Sequence, residues 1–290
     1  FDNWDIDMYY VEKSWPVDEL VSMRWSEDGP VRTTLELEYR CNQSTIWQKI
    51  HFYANTPRID FETKADWKEH QHLLKAEFPV DIHSDEATFE IQFGNVTRKV
   101  HTNTSWDKAR FESCGQKWMD FSEGHYGVSL LNDCKYGHSV RDGVIGLTLI
   151  KCGVEPNPNA DVEMHTFTYA LFPHAGTWKE AGTVEESYQL NLPAYAVRGG
   201  QPGTAFSYTA VEPRNVVLET VKQAENGDGV VLRMYECENA RTKTVVRLPE
   251  GAQRAYLTNL LEEIQEELPI VDGKVTFMTK PFEIQTVLVK

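Results

Sequence analysis

No apolar run in this chain approaches the roughly 20 residues that a membrane-crossing helix needs. Basic charge is short as well. There are 29 Lys and Arg against 44 Asp and Glu, a net charge of -15. Nucleic acid and anionic membrane both demand a basic face, so neither is expected as a partner. Cysteines are few, odd in number and scattered: Cys41, Cys114, Cys134, Cys152 and Cys237. That is no disulfide framework. With no C-x-x-C pair a structural zinc knot is not expected either, and scattered reduced thiols fit a cytoplasmic protein. A phosphate loop and a G-x-S-x-G nucleophile elbow are missing, which removes two common catalytic designs. Internal repeats and low-complexity tracts are missing too. The chain opens on Phe1, which fits a piece of something longer.

What is present is period-two alternation. From Arg58 to Trp67 one face reads Ile59, Phe61, Thr63, Ala65 and Trp67, and the other reads Arg58, Asp60, Glu62, Lys64 and Asp66. Such a segment is a strand with one buried and one wet face. Thr34–Arg40 and Ala87–Phe93 alternate likewise. Gly143–Lys151, His165–Leu171, Val230–Glu236, Thr242–Leu248 and Phe282–Lys290 are further strands. Wet outer faces imply antiparallel sheets. Gly176–Leu190 is the best helix, with Trp178, Ala181, Val184 and Tyr188 near helical spacing. Asn191–Gly203 is dense in Pro and Gly and reads as a linker. After it come short strands and turn signals in the rhythm of a small β-sandwich.

One stretch breaks the alternation: Asn103–Gly137, NTSWDKARFESCGQKWMDFSEGHYGVSLLNDCKYG. Rings mixed with charges and amides suit a sugar, whose CH faces stack on aromatics while its hydroxyls need polar partners. The competing reading is an irregular connection that packs Trp106 and Trp118 into a core. Paired carboxylates about 5 Å apart would mark a retaining glycosidase, but the 44 acids offer no unique pair. Asp107, Asp120 and Asp133 all sit where Asp commonly shapes turns. Zinc needs three or four converging ligands. His70 and His72, in KEHQHLL, stand in polar surroundings that read as a surface loop. No nucleophile, general acid or metal ligand is assigned.

Six segments occur in order along nearly the whole chain: WDIDMYYVEKSW (Trp4–Trp15), FGNVTRKVHTNTSWDKARFE (Phe93–Glu112), YGVSLLNDCKYG (Tyr126–Gly137), HTFTYALFPH (His165–His174), LRMYECEN (Leu232–Asn239) and KPFEIQT (Lys280–Thr286). Together they resemble the C-terminal β-region of glycoside hydrolase family 38 α-mannosidases, in the cytosolic and bacterial branch. The resemblance implies an all-β fold. A large antiparallel supersandwich similar to galactose mutarotase would span residues 1–195, and a smaller sandwich 204–290. It also implies that the family's zinc ligands and nucleophilic Asp lie upstream of Phe1. This chain then holds no catalytic residue and no cofactor of its own, and zinc belongs to the absent catalytic domain.

The partners so implied are the chain's own N-terminal catalytic domain and a mannose-containing glycan. Self-association into a homo-oligomer stays open. Loops of this region would complete the neighbour's substrate rim. By position the candidates are Trp106, Asp107 and Arg110, then Asp133, Lys135 and Tyr136, then Asp161 and His165. Related enzymes often carry P-D-P where this chain has Pro156-Asn157-Pro158, so one charge is lost there. The aromatic segment is expected to present an apolar patch to the neighbouring domain. Two other readings compete: a stand-alone carbohydrate-binding module, and a purely structural interface domain.

Overall fold

The computed structural model describes residues 3–200, 203 and 205–290. The expected domain starts at residues 1 and 204, and linker positions 201 and 202, lie outside the described residues. The chain divides into two compact units. The first is Phe1–Glu90 with Val96–Ala194; the second is Ile91–Asn95 with Tyr195–Lys290.

The first unit holds a nine-stranded sheet. Its spatial order is β1 (Glu19–Asp28), β2 (Arg32–Cys41), β3 (Ser44–Tyr53), β4 (Ile59–Asp66), β13 (Met164–Ala175), β10 (Tyr126–Asn132), β9 (Trp118–Ser122), β6 (Glu86–Ile91) and β7 (Gly94–Lys99). A four-stranded sheet faces it, in the order β5 (Leu73–Pro79), β12 (Val144–Lys151), β11 (Gly137–Arg141) and β8 (Ser113–Cys114). Neighbours run antiparallel, as expected for alternating strands. The core lies between the sheets, where Ala65, Met119 and Leu130 meet Ile145 and Leu147. Burying each of the larger side chains, such as Met119 or Leu130, is worth about 1.5–3 kcal/mol. Phe61 stacks on Tyr169 at 5.0 Å in the same layer.

The other face of the large sheet is not wet throughout. The helix expected over 176–190 forms as two pieces, α2 (Trp178–Ala181) and α3 (Thr183–Asn191), and they cover its middle. Thr177 and Glu180 form a capping box at the start of α2, and Gly182 at φ 82 separates the pieces. Trp178 packs on Trp118 at 4.8 Å. This cover corrects two expectations. Asn103–Gly137 is not one irregular connection, because it contains β9 and β10. Their residues are buried on both faces, so alternation vanishes from the sequence. Arg58 and Asp60, read as wet, are also buried, since Arg58 donates from Nη1 to Glu186 Oε2 of α3 at 2.9 Å and from Nε to Asp60 Oδ1 at 2.8 Å.

Phe93, expected within a strand, sits at φ 57 between β6 and β7. Asp142 and Gly143 have φ 49 and 75, the paired positive values of the tight turn that joins β11 to β12. The second unit has a three-stranded sheet, β14 (Ala210–Glu212), β17 (Thr242–Arg247) and β20 (Lys274–Thr279). Its five-stranded sheet runs β15 (Val216–Gln223), β16 (Val230–Glu236), β21 (Ile284–Val289), β18 (Ala255–Thr258) and β19 (Ile264–Leu268). Leu232, Met234, Val246, Val275 and Val287 fill the space between them. The fold is all-β, as the sequence indicates. No helix among the described residues is long and apolar enough to cross a membrane.

Candidate functional site

Strand register gathers two of the three candidate-bearing loops at one end of the nine-stranded sheet. Asn132 at the exit of β10 pairs with Tyr169, toward the entry of β13, and Leu131 pairs with Trp118 at the entry of β9. The loops after β10 and before β13 therefore share an end, while the remaining candidates lie on the connection from β7 to β8, which this register does not place there.

The first of the three, the connection from β7 to β8, contains α1 (Ser105–Lys108). Asp107 Oδ2 accepts from Thr104 N at 3.1 Å and from its hydroxyl at 2.7 Å, while Thr104 Oγ1 accepts from Asp107 N at 3.2 Å. The Thr104 hydroxyl above all holds the Asp107 carboxyl below its usual range. Asp107 thus shapes the loop. Its neighbour Trp106 is 78% exposed, so Trp106 is not core, whereas Trp118 is 1% exposed and is. The Arg110 side chain is exposed close to Asp107 and Arg98, whose charges it influences.

In the second loop Asp133 extends the β10–β13 ladder. Its N–H donates to Thr168 O at 3.1 Å, and its Oδ2 accepts from Thr168 N at 2.8 Å. Burial, followed by the hydrogen bond to Asp133, pushes the Cys134 thiol up to about 11. Lys135 Nζ lies 4.5 Å over the Phe167 ring. The Tyr136 ring is exposed, and its carbonyl accepts from Gly115 N at 3.0 Å and lies 3.2 Å from His138 Nδ1. Burial depresses His138 to about 4, so the ring is neutral near pH 7 and Nδ1–H is the donor to Tyr136.

The third loop brings Asp161 and His165 together. Asp161 adopts φ 59, and its carbonyl accepts from His165 Nε2 at 2.8 Å. Ligand-type atoms of Asp161, Glu163 and His165 lie within 4.8 Å of one another. Glu163 was missed in the sequence, although D-V-E-M-H places three such residues at every second position. Two of the three are exposed, and His165 already uses Nε2 on the loop backbone. This set does not fit the enclosed zinc centre that the family resemblance implies. His70 and His72 lie in a loop, with His72 Nδ1 on His70 O at 2.7 Å. Asp120 is buried and takes up Ser129 and His174 at 2.8 and 2.9 Å. Among the described residues no hydrogen bond or ion pair joins Arg110, Asp133 and His165 to one another.

The expected apolar patch over Asn103–Gly137 is largely inside, because Met119, Phe121, Leu130 and Leu131 are buried. Leu20, Met23 and Trp25 on β1 are exposed instead, together with Phe52 of β3. The four-stranded sheet is shorter in strand number than the nine-stranded sheet it faces.

Two facing sheets with two candidate-bearing loops at one end, whose polar groups mostly shape those loops, define a β-sandwich scaffold with a rim. Residues 1–159 match the model of the glycosyl hydrolases family 38 C-terminal domain, and residues 215–287 that of the family's C-terminal beta sandwich domain. Alpha-mannosidase 2C1 of Homo sapiens is 37% identical over 297 residues, covering 99% of this chain and 29% of that protein. Alpha-mannosidase G of Dictyostelium discoideum is 35% identical, covering 99% and 27%. The crystal structure of an alpha-mannosidase from Enterococcus faecalis V583 shares the fold, with a TM-score of 0.78 at 18% identity over 94% of this chain and 35% of that one. The chain belongs to glycosyl hydrolase family 38 and corresponds to its C-terminal region. It spans 29% of the length of the human relative.

Proposed function

We propose that this chain is the non-catalytic C-terminal portion of a zinc-dependent, retaining α-mannosidase that removes terminal α-mannosyl residues in the cytoplasm. Zinc, nucleophile and acid are expected from the upstream catalytic region. This part braces that region and lines part of the substrate rim. The observation that carries the reading is the gathering of Tyr136 and His165 on loops at one end of a sheet in a family 38 C-terminal region, with Trp106 and Arg110 exposed on the connection from β7 to β8. An exposed indole offers a stacking face for a sugar ring, and a guanidinium can grip two neighbouring hydroxyls. Exposed Met23 and Trp25 on β1 support the bracing role, since exposed apolar side chains in a group mark surfaces that meet another body. Five cysteines, none in a disulfide among the described residues, support the cytoplasmic setting.

In the full-length parent, Arg110→Ala and His165→Ala are expected to lower kcat/KM ten- to hundredfold, about 1–3 kcal/mol, with the melting temperature kept. Unchanged kinetics in both would leave only the scaffold role. Asp133→Ala is expected to lower the melting temperature, because its carboxylate closes the ladder at Thr168.

A further inference from the structure

The segment Asn3–Trp15 has no buried residue. Trp4, Tyr9 and Trp15 are largely exposed, so hydrophobic burial does not hold it down. Polar attachments do. Asn3 N donates to Glu155 O at 2.8 Å, and Lys151 Nζ donates to Asp5 O. Trp15 meets the His72 ring at 6.0 Å. In the middle Tyr10 reaches a buried charge pair. Lys75 of β5 and Glu112 form an ion pair with side chains 9% and 8% exposed. The Tyr10 hydroxyl donates to Glu112 Oε1 at 2.8 Å and accepts from Lys75 Nζ at 3.4 Å. Lys75 also donates to Ser139 of β11 at 3.1 Å and Thr148 of β12 at 3.4 Å. These residues alternate with core residues, so the pair lies on the outer face of the four-stranded sheet. Gly146 leaves the room: a Cβ there would come within 2.6 Å of Ser139 Oγ.

We propose that Asn3–Trp15 is a releasable strap across that face, with Tyr10 as its clasp on the Lys75–Glu112 pair. A segment held by a few polar contacts and little apolar burial opens locally at low cost while the core stays folded. Two attachments are charge-assisted, the Lys151 ammonium on the Asp5 carbonyl and the Tyr10 hydroxyl on the Glu112 carboxylate, and the second ties the strap to the buried pair. Burial first, then the Glu112 charge, pushes the Tyr10 phenol well above its ordinary value, so it stays a donor at every pH near neutral. Release uncovers the Lys75–Glu112 pair and the Ser139–Thr148 row while leaving the core closed.

Amide exchange by mass spectrometry on the full chain tests this. Tyr10→Phe keeps the ring against Phe111 and removes only the hydroxyl. Exchange of strap amides, and tryptic cleavage after Lys13, are expected to accelerate about tenfold or more, with β10 and β12 unchanged. Glu112→Gln, which makes the bond neutral, is expected to fall between. Three results would each overturn the proposal: unchanged strap exchange in Tyr10→Phe, acceleration spread equally over β10 and β12, or an unmutated strap that already exchanges at the unprotected rate.

Discussion

Arg58 shows how much one residue depends on its cover. Its guanidinium bonds both oxygens of Asp60, at 2.8 and 3.1 Å, and Glu186 completes the set. The Tyr53 hydroxyl donates to Asp60 Oδ2 at 2.9 Å. Removing one partner of a buried pair leaves the other uncompensated, at about 3–5 kcal/mol. Arg58→Ala is therefore expected to lose that much in urea unfolding, and a loss below about 1 kcal/mol would show a solvent-screened pair. His138 gives a pH signature. Its folded value is depressed to about 4 by burial, below the ordinary 6.5. The unfolded chain then binds more protons between these values, so stability is complete above pH 6.5 and falls as pH drops toward 4. At 1.36 kcal/mol per unit the contribution is roughly 3 kcal/mol. Unfolding free energies at pH 7.5 and 4.5 should differ by about that much less in His138→Leu than in the unmutated chain. An identical difference in both would remove His138 as the cause.

At the scale of elements, caps and close approaches matter most. Thr177 Oγ1 accepts from Glu180 N at 3.3 Å and starts α2. Thr177→Ala is expected to cost about 1 kcal/mol in thermal unfolding. Gly127 in β10 lies so close to its neighbours that a Cβ would come 2.3 Å from Ser122 Oγ and 2.5 Å from His174 Cε1. Gly127→Ala should cost about 1–3 kcal/mol through overpacking, and a neutral result would mean that His174 can turn aside. The strands that alternate, such as β4, were legible because a single buried face leaves a period of two. β9 and β10 were not, because the helices cover the second face and both sets of side chains become apolar or spent on buried hydrogen bonds. Asp120 illustrates this: a charged residue in a loop by composition, it anchors Ser129 and His174 inside.

At the scale of the molecule, the second unit draws on Ile91–Asn95 as well as Tyr195–Lys290. Phe93 meets Tyr235 edge-on at 5.5 Å, and Asn95 Nδ2 donates to Cys237 O at 2.7 Å. Residues 195–290 expressed alone should therefore melt lower than the same strands in the full chain. Loss of about 1 kcal/mol corresponds to 4–8 °C in a unit of this size. An equal melting temperature would show those five residues to be passive. The isolated 290-residue chain is expected to lack α-mannosidase activity on an activated aryl mannoside with added zinc. Turnover that survives repurification and disappears on a point mutation in this chain would contradict the division of labour proposed above.

The sequence alone determined the class of fold, the helix after residue 176, the proline- and glycine-dense stretch that follows it, and the family, because these rest on local periodicity, turn chemistry and ordered motifs. Only the tertiary structure decided which side chains are buried on both sides and which rim candidates are spent on architecture. Asp107 became a cap and Asp133 a ladder partner, while Trp106 stayed in solvent. The same holds for the joining of β4 to β13 and of Lys75, Glu112 and Tyr10. Such pairings link residues tens to a hundred positions apart, and no local pattern encodes them, since they depend on which faces the folded layers leave to be covered.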